Sequence, residues 1–290
     1  MNFVSEKVLS PIFRWAGSKK KLLIEMLETF DTKNIYIEPF LGSGVVMSNV
    51  LKYKNFDTIY VNDFNSDIII FYKEVQENGA QLKNRLKEII EYYSNLNMEE
   101  KTEFFYLQRE RYNTFNDKNI ESACIFWFLM QAGFNGVYRV NSRGEFNVPF
   151  GKREKIYFNE SNFDEIQRLI ENVQFYNQDY IEFLNNFSDE DLNKSFIYLD
   201  PPYLPVSASM KNMTMYTKNA FDHKALTAEC GKLLKRTDVS IALSIADSEL
   251  SREIYQTDFF YNNDLAEIIR NVNPQKVLKV KEQLYTSYNL

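Results

Sequence analysis

The tetrapeptide Asp200-Pro201-Pro202-Tyr203 carries the clearest chemistry in the chain. It closes Phe196 to Leu199, an apolar and aromatic run with the composition of a strand buried on both faces of a parallel sheet. Two successive prolines cannot continue such a strand, because each removes a ladder donor and fixes its own φ. The chain therefore leaves the sheet at Asp200, at the carboxyl end of the strand, where open α/β sheets bind their ligands. An acid, a rigid turn that exposes carbonyls and an aromatic face arrive there together. That set suits a flat ring bearing an amine, with Asp200 and the Pro201 carbonyl accepting from the amine and Tyr203 stacking on the ring. The competing reading is a sheet-edge turn with an N-cap Asp and a packed Tyr.

Composition narrows the chemistry further. With 290 residues, 44% hydrophobic and 26% charged, the chain has the make-up of one large or two modest soluble domains with a sizeable core. The longest apolar run, Ala123 to Met130, is too short to span a bilayer, and the N-terminus lacks a signal-peptide core, so a cytoplasmic protein without a membrane partner is expected. Cys124 and Cys230 sit in separate apolar segments without metal-ligand spacing, as two reduced, buried thiols would. The single histidine, His223, falls near the start of a predicted helix over 222–234 and reads as a surface residue. Without it neither a Cys/His zinc site nor a Ser-His-Asp relay can be assembled, so the expected chemistry uses no metal and no histidine base. A net charge of −6 does not advertise nucleic acid, yet the electrostatic footprint of a binder is a local patch.

Several elements must position the tetrapeptide. Residues 11–22 run an apolar segment into a small-residue turn and then a helix through Phe30, with Ser18 as N-cap and Lys19, Lys20 and Lys21 in its first turn. Lysines there oppose the helix dipole, which suits an anionic contact or simply a solvated basic turn. Asn34 to Gly44 reads as a strand, a turn around Gly42 and Gly44, and a helix start, a natural cradle for a polar ligand group. It lacks both GxGxxG and the P-loop lysine, which speaks against a dinucleotide and a nucleoside triphosphate. A second strand, Thr58 to Asp63, ends in an acid at the spacing that commonly binds ribose hydroxyls. Strand, glycine turn, helix, strand and acid together read as an adenosine-binding βαβ unit.

From Asn65 the alternation stops. Helices are predicted over 66–76, 81–93, 98–115 and 119–131, followed by a hairpin or loop between Gly133 and Lys152 with Asn141-Ser142-Arg143-Gly144 at its turn. Aromatic residues, Asn and Arg interleave in this stretch, and Lys152, Arg153 and Lys155 follow, a mix that can stack, reach base edges and touch phosphates or can form an ordinary packed rim. Residues 66–159 are expected to form one subdomain, and 1–65 with 160–290 the other. The α/β pattern then resumes, with a helix over 162–171, a strand over 173–177, a helix over 180–187, an acidic turn over 188–191, a helix over 222–234, a strand over 239–245, a helix over 248–255 and terminal strands. A lid is expected over 204–220.

Four blocks in order, Arg14-Trp-Ala-Gly-Ser-Lys19, Glu38-Pro-Phe-Leu-Gly-Ser-Gly44, Gly136 to Gly151 and Asp200-Pro-Pro-Tyr203, resemble the Dam-type, D12 class DNA adenine-N6 methyltransferases. Lys281 to Tyr288 fits more loosely. The resemblance implies an α/β fold, a Rossmann-like S-adenosylmethionine-dependent methyltransferase sheet with an inserted mainly helical recognition subdomain. It implies S-adenosylmethionine as cofactor and double-stranded DNA as partner, acted on by a monomer, and it admits a restriction endonuclease as a second partner. Carried over by position, Trp15, Ala16, Gly17, Lys19, Asp63 and Asp200 match cofactor contacts, and Glu38, Pro39, Phe40, Gly42, Ser43 and Gly44 border the methionine moiety. Asp200, Pro201, Pro202 and Tyr203 match the residues that hold a flipped adenine. Phe134, Asn135, Val137, Arg139 and Pro149 match positions that wedge the duplex or contact bases, with Asn141, Arg143, Lys152 and Arg153 beside them and Arg14 at a usual lysine near the DNA. Ser18 replaces a usual Gly and Phe134 a usual Tyr. GATC is the expected target. A methyltransferase for cytosine N4, RNA or a protein amide and an inactive DNA-binding module are the alternatives to this reading; an oxidoreductase is disfavoured by the missing GxGxxG.

Overall fold

Short buried strands alternating with helices build one mixed sheet, and a helical block is inserted after its second strand. The computed structural model describes residues 8–204, 221–273 and 276–290. The strands are β1 (Ile35–Glu38), β2 (Thr58–Asn62), β3 (Gln174–Tyr176), β4 (Ser195–Leu199), β5 (Ser240–Ala246), β6 (Tyr261–Asn273) and β7 (Lys276–Thr286). Their order is β3-β2-β1-β4-β5-β7-β6, parallel from β3 to β5, with β7 antiparallel between β5 and β6. This is a Rossmann-like α/β sheet with one antiparallel strand inserted near its end. The chain turns outward in opposite directions on either side of the β1/β4 pair, so the ligand crevice of an open α/β sheet is expected at the carboxyl ends of those two strands. Glu38 ends β1, and Asp200 follows β4 directly.

Side-chain alternation explains why these strands are central. On β4 every residue is buried; Phe196 and Tyr198 join Tyr36, Val50 and Leu284 on one face, while Ile197 and Leu199 join Ile37, Leu226 and Leu243 on the other. A strand with two apolar faces can sit only inside a sheet covered on both sides. Helices α1 (Leu23–Thr29) and α2 (Val45–Tyr53) cover the first face; α7 (Tyr180–Leu184), α9 (His223–Arg236) and α10 (Glu249–Tyr255) cover the second.

The insertion comprises α3 (Ser66–Ser94), α4 (Met98–Thr114) and α5 (Ile120–Ala132), and α6 (Glu160–Leu169) leads back to β3. Asn97 and Asn119 cap α4 and α5 with reciprocal hydrogen bonds, which fixes where each begins. Helix α5 is buried from Ser122 to Ala132, and Trp127 Nε1 donates to the Ile12 carbonyl at 2.9 Å. One continuous core links Val61 and Phe175 at the sheet to Phe105, Trp127 and Phe146 in the insertion. Truncating Trp127 to Ala would cost about 3–5 kcal/mol and loosen the insertion from the sheet.

Three expected elements differ. The predicted helices over 66–76 and 81–93 form the single helix α3, bent where Asn78 takes φ −124° and ψ 23°; Gly79, packed against Gln167, breaks the pattern without ending the helix. The expected acidic turn over 188–191 is a short helix, α8 (Asp189–Asn193), because Ser188 and Asp191 form a capping box and the acids favour its first turn. The helix expected from Ser18 begins only at Leu23. Ser18 therefore caps nothing, and the three lysines precede the helix instead of opposing its dipole. The lid expected over 204–220 lies, from residue 205 onward, outside the described residues.

Candidate active site

The Asp200 side chain leaves β4 into a network closed by Lys19. Lys19 is only 1% exposed, and its Nζ lies 2.5 Å from Asp200 Oδ1 and 2.5 Å from the Tyr203 hydroxyl. It also reaches the Gly17 carbonyl at 3.4 Å and stands 4.8 Å from the Tyr203 ring centroid. The Tyr203 hydroxyl in turn donates to Glu282 Oε1 at 3.0 Å. Ser244 approaches Asp200 Oδ1 from β5 at 3.5 Å and bonds the Tyr198 hydroxyl at 2.8 Å. Asp200 Oδ2 makes no hydrogen bond among the described residues, so one oxygen of the carboxylate is held and the other is available to a ligand.

The β1 side of the crevice is built from the glycine turn. Gly44, just before α2, has φ +64°, and a Cβ there would fall 2.3 Å from the Tyr72 hydroxyl, so only glycine fits. Tyr72 donates to the Ser43 carbonyl at 2.7 Å and locks the turn. Asp63 ties the turn to β2: its Oδ2 accepts from the Gly42 N–H and its Oδ1 from the Asn65 N–H, each at 2.8 Å. Burial pushes the Asp63 carboxyl up to about 6, against the pull of those two N–H groups. Glu38 is buried and accepts from the Tyr36 hydroxyl at 2.8 Å. Burial holds its carboxyl well above the ordinary range; the Tyr36 hydrogen bond opposes this, and the Asp200 and Asp63 charges add to it.

These groups face one cavity of about 700 Å³, within the usual ~300–1,000 Å³ of small-molecule sites. Its lining includes all the expected cofactor residues except Gly44: Trp15, Ala16, Gly17 and Lys19 from the first block, Glu38, Pro39, Phe40, Gly42 and Ser43 from the turn, and Asp63 and Asp200. The Ser18 hydroxyl, also in the lining, is buried with no hydrogen-bond partner. Pro201, Pro202 and Tyr203 complete the wall. Sequence reasoning missed Phe64, Tyr138, Gln178, Tyr180 and Phe221, which line the same cavity. Phe64 was readable as an aromatic next to the Asp63 acid. Tyr138 lay inside a segment read only for DNA; its ring lies 5.9 Å from that of Trp15, and its hydroxyl donates to Asp67 Oδ2 at 2.7 Å.

The residues expected at DNA sit on a loose antiparallel hairpin, bridged at Gly133 with Phe150 and at Val140 with Phe146. Asn141 holds the turn, its Oδ1 accepting from the Arg143 and Glu145 N–H groups at 2.9 and 3.0 Å. Arg143 pairs with Glu145 at 2.9 Å. Arg139 is exposed, with Nε 2.7 Å from Asn147 Oδ1 and Nη2 3.2 Å from the Asn147 carbonyl. Phe134, Asn135, Pro149 and Lys152 are exposed, while Val137 and Arg153 are half-buried. Arg14 is partly buried, and its Nη1 donates to the Gln131 and Gly133 carbonyls at 3.2 Å each. Burial, with help from the Arg153 charge, lowers its pKa to about 10.

His223 departs from expectation. It is buried, with Nδ1 2.6 Å from the Tyr255 hydroxyl, and packs behind the prolines, close enough to hydrogen-bond the Pro202 backbone. The helix therefore opens on a buried residue and not on a surface one.

Residues 15–272 match the D12 class N6 adenine-specific DNA methyltransferase family. The chain belongs to that family. It is an adenine-specific DNA methyltransferase, and therefore acts on DNA with a methyl donor. Among its relatives is a DNA adenine methylase of Haemophilus influenzae, 33% identical over 276 residues, which are 94% of this chain and 91% of that protein. The DNA adenine methylase of Escherichia coli K12 is 34% identical over 245 residues, 84% of this chain and 83% of that one. Type II methyltransferase M.MjaIII of Methanocaldococcus jannaschii is 32% identical over 266 residues, 87% and 86% respectively. Among the described residues no group of acids, cysteines and histidines could hold a metal ion, and no helix is long and apolar enough to cross a membrane.

Proposed function

We propose that the protein transfers a methyl group from S-adenosylmethionine to the N6 amine of an adenine flipped out of a short duplex sequence, GATC in the first instance. The observation that carries this reading is that the half-held Asp200 carboxylate and Tyr203 open onto the same cavity as the β1 turn and Asp63. One cavity thus offers an amine acceptor and an adenosine cradle side by side.

The residues fit the cofactor. Asp63 suits ribose hydroxyls. Glu38 stands beside the turn that would face the methionine end, and Ser18 offers an unpartnered hydroxyl. When bound, S-adenosylmethionine supplies an electrophilic methyl group on a sulfonium. Everything else falls to the chain. Adenine N6 is a poor nucleophile because its lone pair is delocalised into the ring. Asp200 Oδ2 and the Pro201 carbonyl, accepting from N6–H, favour a pyramidal nitrogen and gain strength as positive charge develops there. Lys19 holds Asp200 by its other oxygen, so the acceptor is oriented before the base arrives. An amine inside a duplex is out of reach, so the base must leave the stack at a cost of a few kcal/mol. Stacking on Tyr203 offsets roughly 1–3 kcal/mol of that.

Residues 66–159 form the recognition part in this reading, with Phe134 and Asn135 exposed at the base of the hairpin and the exposed Arg139 as the residue that would meet a base. The protein acts as a monomer on DNA in the cytoplasm. The Type II name of the Methanocaldococcus relative supports a restriction endonuclease as partner. Single-base methylation sequencing of DNA treated with the purified protein and S-adenosylmethionine tests the whole reading. N6-methyladenine confined to one short sequence is the expected result; its absence, or methylation without sequence context, overturns it.

A further inference from the structure

Glu282 is fully buried on β7, opposite Ala246 at the carboxyl end of β5, and its Oε1 accepts the Tyr203 hydroxyl proton at 3.0 Å. Leu284 and Tyr285, two and three positions further along the strand, belong to the apolar core. A carboxylate in such a place is costly unless its hydrogen bonds do something that an apolar residue could not. We propose that Glu282 is a positioning residue: it fixes the ring plane of Tyr203 on which the flipped adenine stacks. This rests on the base-flipping reading above and adds to it a residue outside the four sequence blocks.

The torsion between a tyrosine ring and its Cβ is broad, so a stacking platform needs restraint. Among the described residues, Gly17 and Glu282 with Lys19 restrain Tyr203 at its edge and at its tip. Near its Cε2 edge lies Gly17, where an added Cβ would stand 3.0 Å from Cε2. At its tip, the hydroxyl gives its proton to Glu282 and accepts from Lys19 Nζ. Because the hydroxyl proton is committed to Glu282, its lone pair faces Lys19. Glu282 therefore also sets the direction of the chain Glu282–Tyr203–Lys19–Asp200, in which Lys19 donates at both ends. An acid on the last strand of the sheet thus fixes both the platform and, through Lys19, the acceptor.

The test compares Glu282→Leu, which removes the acceptor, with Glu282→Gln, which keeps one, on a duplex whose modified adenine has first been located by sequencing. Single-turnover methyl transfer should fall about tenfold or more in Glu282→Leu, as expected for losing a hydrogen bond to a charged group, and largely recover in Glu282→Gln. Affinities for S-adenosylmethionine and DNA should change little. With 2-aminopurine at the target position, Glu282→Leu should fluoresce more brightly than wild type because the flipped base stacks less well. Tyr203→Phe, which keeps the ring and lacks the hydroxyl, should reproduce that signal, and Glu282→Leu should add nothing in its background. Equal damage from Gln and Leu, full additivity with Tyr203→Phe, or an unchanged signal in Tyr203→Phe overturns the assignment. A wild type that gives no fluorescence change at the target base overturns base flipping itself, and the assignment with it.

Discussion

Lys19 Nζ sits 2.5 Å from Asp200 Oδ1, and this ion pair joins the first sequence block to the last across 181 positions. Lys19 is almost wholly buried, while the Asp200 side chain is 21% exposed. Removing the whole carboxyl would take a counter-charge away from a buried ammonium, so Asp200→Ala mixes lost chemistry with lost stability.

Asp200→Asn is the cleaner probe. The amide keeps an oxygen for Lys19 and places a donor where N6–H needs an acceptor. Single-turnover transfer from labelled cofactor should fall by about 10²–10³-fold, as for other groups that meet developing charge. The melting temperature should stay within a few degrees of wild type. A variant that melts normally and transfers at near wild-type rates contradicts the role given to Asp200.

Two raised carboxyls make cofactor binding pH-dependent. Asp63 holds its proton up to about pH 6 and Glu38 to well above the ordinary carboxylate range, chiefly through burial. A cationic sulfonium ligand with ribose hydroxyls favours both carboxylates in the ionised form, so binding releases protons. The Asp63 share should weaken affinity for S-adenosylmethionine as pH falls below about 6, by up to about tenfold per unit, and the Glu38 share acts in the same direction. Calorimetry in two buffers of different ionisation enthalpy measures the release directly. Glu38→Gln and Asp63→Asn should each reduce it. For the free protein the sign is opposite: the raised Asp63 carboxyl makes the folded state the better proton binder between about 4 and 6, so it disfavours folding as pH rises through that range, and the raised Glu38 carboxyl acts in the same sense.

His223 acts on stability in the reverse sense. Burial is the main cause that lowers its pKa to about 4, while the Asp222 charge and the Pro202 backbone pull it upward. The unfolded chain takes up a proton near pH 6.5 that the folded state refuses until about 4. Stability is lost progressively as pH falls through that window, by about 3 kcal/mol in all, and changes no further from this source below it. Thermal melts from pH 7 to 4 should show the loss in wild type and a flatter profile in His223→Gln, whose amide can still reach Tyr255. Comparing the two proteins cancels the opposing contributions of Asp63 and Glu38. Parallel profiles would show that His223 is not the group responsible.

Much of the sheet and site was readable in the chain because local chemistry dictated it. Prolines 201 and 202 force an exit from the sheet, and Phe196 to Leu199 admit only a central strand. The β1 turn and Asp63 announced each other by spacing and meet through the Gly42 N–H. What the sequence hid were partners set by tertiary packing. His223 looks like any first-turn helical residue until α9 is laid behind Pro202. Glu282 lies in the loosely matching stretch Lys281 to Tyr288, to which no role was given, and only the antiparallel insertion of β7 beside β5 brings it to Tyr203. Ser18 had the composition of a cap, yet burial of the next residue, Lys19, delays the helix to Leu23.

The hairpin allows a prediction about sequence reading. Arg139 is exposed and held in plane by two bonds to Asn147, through Nε and Nη2. An arginine so fixed presents its remaining N–H edge in one orientation, and the favoured base contact for such an edge is guanine O6 and N7. Lys152 is exposed past the end of the hairpin, where a phosphate contact sets register without reading bases. The two should fail differently. Arg139→Ala should cost about 1–3 kcal/mol on the cognate duplex and relax discrimination at one base pair. Lys152→Ala should weaken all duplexes alike and lower the salt slope by about one unit. Asn147→Ala, which removes the side-chain half of the Arg139 clamp, should give a milder copy of the Arg139 defect at the same base pair. Methylation rates on every singly substituted site at two salt concentrations separate the cases. If Arg139→Ala and Asn147→Ala relax different positions, or none, Arg139 serves the hairpin and not the base.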